Sequence, residues 1–156
     1  MTIHQNRDTY AIWLMPNIID QNYLIDIVAN LSESYKSFSF EPHCTLLSGI
    51  ILSRTRIENY IEVNTRNISK IILKTVKIDY SNFLQKSLFI EFEISDELSI
   101  LYDSFSKSLK PNKVRIFKPH LSILYETIPT EEKIQIINSI RLKESISFDK
   151  LAGIFS

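Results

Sequence analysis

The sequence is poor in the residues that punctuate or cross-link a chain. Two glycines and five prolines in 156 residues leave few positions for left-handed turns or rigid linkers. No Gly/Ser-rich or low-complexity tract occurs, so a single domain over 1–156 is expected, with residues 1–9 as a mobile arm. One cysteine excludes an intramolecular disulfide and a several-cysteine zinc site, and suits a reducing compartment. Charge of one sign is also missing, because eighteen basic and eighteen acidic side chains cancel. Duplex DNA, whose binding neutralises many phosphates, is therefore not an expected partner, although a small anion held by a local patch is allowed. No apolar run nears the roughly 18 residues that cross a bilayer, and the polar start lacks the apolar core of a secretory signal. A cytoplasmic monomer with no membrane partner is the expectation.

Alanine is scarce too, with three against twenty-six isoleucines. That bias suggests an AT-rich coding source and favours strands, since β-branched side chains fit a pleated surface. Hydrophobic residues at 44% and charged residues at 23% exclude a disordered or fibrous chain.

Strands and helices alternate in the pattern. Residues 10–15 (YAIWLM) form a short apolar run ended by Pro16-Asn17. Ile19, Tyr23, Ile27, Val28 and Leu31 then recur at helical spacing to about Tyr35, with Asn17 as the cap. A second strand is predicted over 42–47, stopped by Ser48-Gly49, and Ser53 caps a helix through Ile57, Tyr60 and Ile61. Strands over 71–80 and 87–94 follow, then a helix from Ser95-Asp96 to Leu109, a strand over 119–125, a helix capped by Thr130, and a last strand over 145–155. The order β-α-β-α-β-β-α-β-α-β predicts an α+β fold with largely antiparallel pairing.

One octapeptide occurs twice. Phe40-Glu41-Pro42-His43-Cys44-Thr45-Leu46-Leu47 is matched by Phe117-Lys118-Pro119-His120-Leu121-Ser122-Ile123-Leu124. Phe, Pro, His and the last Leu coincide, and Thr/Ser and Leu/Ile are conservative matches. With five prolines and three histidines in the chain, Pro before both of these histidines by chance has odds of about one in a thousand. Side chains at i and i+2 leave one face of a strand, so His43 goes with Thr45 and His120 with Ser122. Cys44 and Leu121 turn the other way, into the core. A proline before each histidine fits a strand start, where no ladder donor is needed.

Two imidazoles and two hydroxyls in one cleft suit hydrolysis of a phosphodiester. A neutral imidazole takes a proton from water, an imidazolium gives one to the departing oxygen, and both states coexist near pH 7. The hydroxyls donate to the non-bridging oxygens where charge grows. This chemistry requires no metal and no other cofactor. A lone His-x-Ser/Thr in a strand is most often structural; two copies inside a shared octapeptide favour catalysis.

These paired motifs resemble those of the 2H phosphoesterase superfamily, named for two His-x-Ser/Thr motifs. The strand Ala11-Ile12-Trp13-Leu14-Met15-Pro16, the Phe-x-Pro-His-x-Thr frame, the run Pro119 through Tyr125 and Thr130-Glu131-Glu132-Lys133 are most similar to the plant and yeast cyclic phosphodiesterase branch. The resemblance spans about Tyr10 to Ile154. It implies a bilobal fold of two antiparallel sheets with flanking helices around a central cleft, related by an internal pseudo-twofold. It also implies opening of a small cyclic phosphate, such as a 2′,3′-cyclic nucleotide or ADP-ribose 1″,2″-cyclic phosphate, with a link to RNA processing. His43 and His120 are then the acid/base pair, and Thr45 and Ser122 bind phosphate. Plant relatives continue into a further strand beyond the position of Ser156. Other branches act on 2′–5′ linked RNA or oligoadenylates, and some viral members destroy cyclic oligonucleotide signals, so short RNA or an oligonucleotide is the alternative substrate. A nucleotide-binding module without turnover is a third reading.

Three further residues are candidate substrate contacts. Trp13 is either a packing residue or a base-stacking platform. Tyr125, five positions after His120, is turned away by strict alternation but sits where the strand should end, from which it can fold back over a ribose or base. Lys118 belongs to a basic stretch with Lys110, Lys113 and Arg115, by default a solvated loop, whose cations can attract a second phosphate. Arg54 and Arg56 have a weaker claim of the same kind, and His4 has no motif around it.

Overall fold

The computed structural model describes residues 8–112 and 115–155; His4 and Lys113 lie outside the described residues. The elements are β1 (Asp8–Pro16), α1 (Ile18–Tyr35), β2 (Cys44–Leu52), α2 (Arg54–Asn67), β3 (Ile71–Tyr80), a 3₁₀ turn (Leu84–Lys86), β4 (Leu88–Phe92), α3 (Asp96–Leu109), β5 (His120–Leu124), α4 (Thr130–Ser139) and β6 (Ser145–Phe155). Apart from the short turn, this is the order expected, and every strand pair is antiparallel. The fold is α+β.

Three of the four expected caps form. Asn17 Oδ1 accepts from the Asp20 N–H at 2.9 Å, Ser53 Oγ from Arg56 at 3.4 Å and Ser95 Oγ from Leu98 at 3.1 Å, each satisfying a first-turn donor. Thr130 does not cap. Pro129 takes that place, its ring fixing φ at −58°, and its carbonyl accepts from Glu132 and Lys133.

The buried stripe of α1 is rotated from the expected one. Asp20, Leu24, Val28 and Ser32 face inward, whereas Ile19 is exposed. Asp20 can enter because its carboxylate is satisfied there: Oδ2 accepts from the Ser147 N–H at 2.7 Å and Oδ1 from Lys143 Nζ at 2.9 Å. These bonds stitch the start of α1 to β6.

β2 is longer than the predicted strand. It does not stop at Ser48-Gly49, because Gly49 adopts φ of +70° and inserts a bulge opposite β1. A Cβ at Gly49 would run into the Asn112 side chain, and the Asn112 N–H donates to the Gly49 carbonyl at 2.8 Å. The continuation to Leu52 gives Asp8 and Thr9 partners in Leu52 and Ile51, so these two residues belong to a ladder and not to a mobile arm.

The strands close into one ring in the order β1-β2-β5-β4-β3-β6, where two sheets were expected. β2 reaches β5 through a single bridge, Cys44 to Leu121, and β3 reaches β6 over four pairs from Ile71–Phe148 to Lys74–Ser145. Both joins pair edges that would otherwise expose free N–H and C=O groups. The core holds Ile12, Leu14, Leu24, Leu88, Ile90 and Phe148, all fully buried. Among the described residues, no helix is long and apolar enough to cross a membrane.

Candidate active site

The β2–β5 bridge sets the geometry of the repeated motif. His43 immediately precedes β2 and His120 opens β5, so the bridged residues Cys44 and Leu121 are the ones that follow each histidine. Continuing that antiparallel register places His43 across from Ser122 and Thr45 across from His120. All four line one cavity of about 750 Å³, a size that suits a nucleotide. Cys44 and Leu121 point away and are fully buried, as alternation requires. Burial pushes the Cys44 thiol up to about 12, which removes it as a nucleophile.

The proline-led approach to each strand orients each ring in the same way. His43 Nδ1 lies 2.8 Å from the Glu41 carbonyl, and His120 Nδ1 lies 3.0 Å from the Lys118 carbonyl. A carbonyl only accepts, so Nδ1 carries the proton in both rings and Nε2 is the nitrogen left for chemistry. The His43 ring is stacked flat on Trp13, centroids 3.4 Å apart at 8°, whereas His120 meets the edge of Phe89 at 5.6 Å and 76°.

Both imidazoles are held below the ordinary histidine value. Burial is the main cause for each; the other histidine's charge also lowers His43, and Lys86 also lowers His120. The carbonyl bonds at Nδ1 oppose the shift. A lowered folded value means that the unfolded chain binds protons more readily below about pH 6.5. Their contribution to stability is thus intact above that pH and is lost as pH falls toward the folded values. Thermal melts from pH 7.5 to 5 should show wild type losing more than a His43→Gln, His120→Gln double variant over that range; equal losses would contradict the shifts.

The two hydroxyls are not equivalent. Thr45 is half-buried, and its hydroxyl has no hydrogen-bond partner among the described residues. Ser122, 7% exposed, donates to the Gln85 carbonyl at 2.8 Å. A hydroxyl has one proton, so Ser122 must rotate away from Gln85 before it can donate to a phosphate oxygen.

Trp13 and Tyr125 also line the cavity. One face of the Trp13 indole is covered by His43, which makes it a support for that ring, and Tyr125 stacks on Phe40 at 3.8 Å. Tyr125 escapes the alternation because β5 ends at Leu124. Lys118 does not line this cavity. Its carbonyl holds His120, and the residue borders a smaller cleft of about 150 Å³ together with Arg115, Thr45 and His120. Arg54 pairs with Glu58 in a separate cavity, and Arg56 lies on another face, so neither reaches the histidines. Phe83, Gln85 and Lys86, on the loop before β4, line the cavity without having been anticipated. They lie far from either motif in sequence, and no pattern marks them. Among the described residues no group of three or more His, Cys, Asp or Glu is placed to hold a metal ion.

No protein-family model and no curated protein matches the chain.

Proposed function

We propose that this protein is a metal-independent hydrolase of the 2H phosphoesterase type that opens the cyclic phosphodiester of a small nucleotide. The observation that carries the reading is the meeting of His43, Thr45, His120 and Ser122 around one cavity, with each Nδ1 tied to a carbonyl and each Nε2 left for proton transfer. One Nε2 takes a proton from water as its oxygen bonds to phosphorus. The bond to the leaving ribose oxygen breaks, and the other ring, as imidazolium, gives that oxygen its proton. The products are a phosphate monoester and a free hydroxyl. Thr45, Ser122 once turned, and the nearby Lys86 ammonium stabilise the charge on the non-bridging oxygens.

The ring topology supports a two-lobed architecture with a pseudo-twofold axis. Exchanging β1 with β4, β2 with β5 and β3 with β6 leaves the ring unchanged: β1-β2 becomes β4-β5, β1-β6 becomes β4-β3, and the β2-β5 and β3-β6 ladders map onto themselves. The octapeptide alignment pairs Cys44 with Leu121, and these are the residues bridged at the axis. The lobes are then β1-β2-β6 and β5-β4-β3. A monomer in a reducing cytoplasm completes this reading.

A second substrate class has a specific observation in its favour. The cleft past Arg115 and Lys118 shares Thr45 and His120 with the main cavity, and would take the next phosphate of a cyclic or 2′–5′ linked oligonucleotide. The test is turnover of 2′,3′-cyclic mononucleotides in excess EDTA, beside linear and cyclic oligonucleotides. Undiminished hydrolysis is expected. Loss of turnover on chelation overturns the mechanism, and stoichiometric retention of unaltered nucleotide replaces it with a binding module.

A further inference from the structure

Lys133 is 3% exposed, yet among the described residues no carboxylate pairs with its ammonium. Its Nζ donates to the Ser81 carbonyl at 2.8 Å and lies 6.0 Å from the Tyr80 ring centre. A buried charge on a neutral acceptor is costly to keep, and an apolar side chain of similar volume often serves stability as well or better. The bond it makes therefore points to a role other than stability.

Ser81 begins the loop at 81–87 that bends back on itself before β4. The Ser81 N–H donates to the Ser87 carbonyl at 3.2 Å, Ser81 Oγ donates to the Lys86 carbonyl, and the Phe83 N–H donates to Ser81 Oγ at 3.3 Å. This loop holds the Gln85 carbonyl on Ser122 Oγ and sets Lys86 over the Phe89 ring at 4.5 Å, on the His120 side of the cavity. Lys133, on α4, is the side chain from outside the loop that grips its first residue.

We infer that Lys133 is a positioning residue: its buried ammonium latches the loop at 81–87 to α4, and so fixes Gln85 and Lys86 beside Ser122 and His120. This rests on the reading of His120 as one of the acid/base pair. The charged groups around His120 are His43 and Arg115 in the same cavity, Lys118 in the adjoining smaller cleft, Glu91 as its partner across the β4–β5 ladder, and Lys86. Lys86 is the one whose place depends on the loop.

The test follows the His120 imidazole by NMR titration and needs no turnover, so it stands apart from the test of hydrolysis. Lys86→Met should move the His120 midpoint upward, because a neighbouring cation is removed. Lys133→Met should move it in the same direction, and the double variant should move it no further than Lys86→Met alone. Lys133→Arg, which keeps a donor, should restore most of the wild-type midpoint. If Lys133→Met does not fold, Ser81→Ala loosens the same loop from within and should give the same upward shift. A His120 midpoint unmoved by Lys133→Met or by Ser81→Ala, or additive shifts in the double variant, overturns the inference.

Discussion

Replacing His43 and His120 together by alanine is expected to abolish hydrolysis of a 2′,3′-cyclic nucleotide. Each proton transfer contributes about 10²–10⁴-fold in rate, so either single variant should lose about that much in kcat/KM. The double loss should fall short of the product of the single losses, because the two rings act on one displacement. The pH profile carries the sharper signature. With one ring neutral and one protonated in the productive state, kcat/KM should be bell-shaped, and its maximum should lie on the acid side of 6.5 because both rings are held below their ordinary value. Removing the ring that serves as base should erase the acid limb, and removing the acid should erase the basic one, which also assigns the roles. Circular dichroism should show unchanged secondary structure, since neither half-buried ring belongs to the core cluster. Full activity in the double variant would end the hydrolytic reading.

Phe148→Ala is expected to cost about 3–5 kcal/mol of stability. Phe148 is fully buried on β6, faces Ile71 across the β3 ladder and Pro16 across the β1 ladder, and meets the edge of Phe92 at 5.7 Å. It therefore packs where β6 joins β1 to β3 and closes the ring. For a domain of this size the loss corresponds to a fall in Tm of roughly 6–20 °C. Phe155→Ala on the same strand is the control, because that ring is 67% exposed and its replacement should shift Tm little. Comparable losses from the two variants would show that closure of the ring does not depend on this packing.

The same closure explains why helix caps were legible and other features were not. Asn17, Ser53 and Ser95 act within three residues of themselves, and that interaction travels with the local sequence. Asp20 on the inner face of α1 was not legible, because its partners Ser147 and Lys143 lie more than 120 residues away. The bulge at Gly49 depends on Asn112 in the same way. Thr130 carried the right chemistry for a cap, but Pro129 already had the backbone conformation that a cap requires.

By itself, the amino-acid order determined the succession of strands and helices and the facing of His43 with Thr45 and of His120 with Ser122, because strand periodicity is a property of neighbours in the chain. Tertiary structure alone decided that the two copies converge on one cavity and that Trp13 lies flat on His43. It also decided that Gln85 occupies the Ser122 proton and that Lys133 grips the loop carrying Lys86. Those contacts join residues tens of positions apart, and their geometry exists only once the six strands have closed on one another.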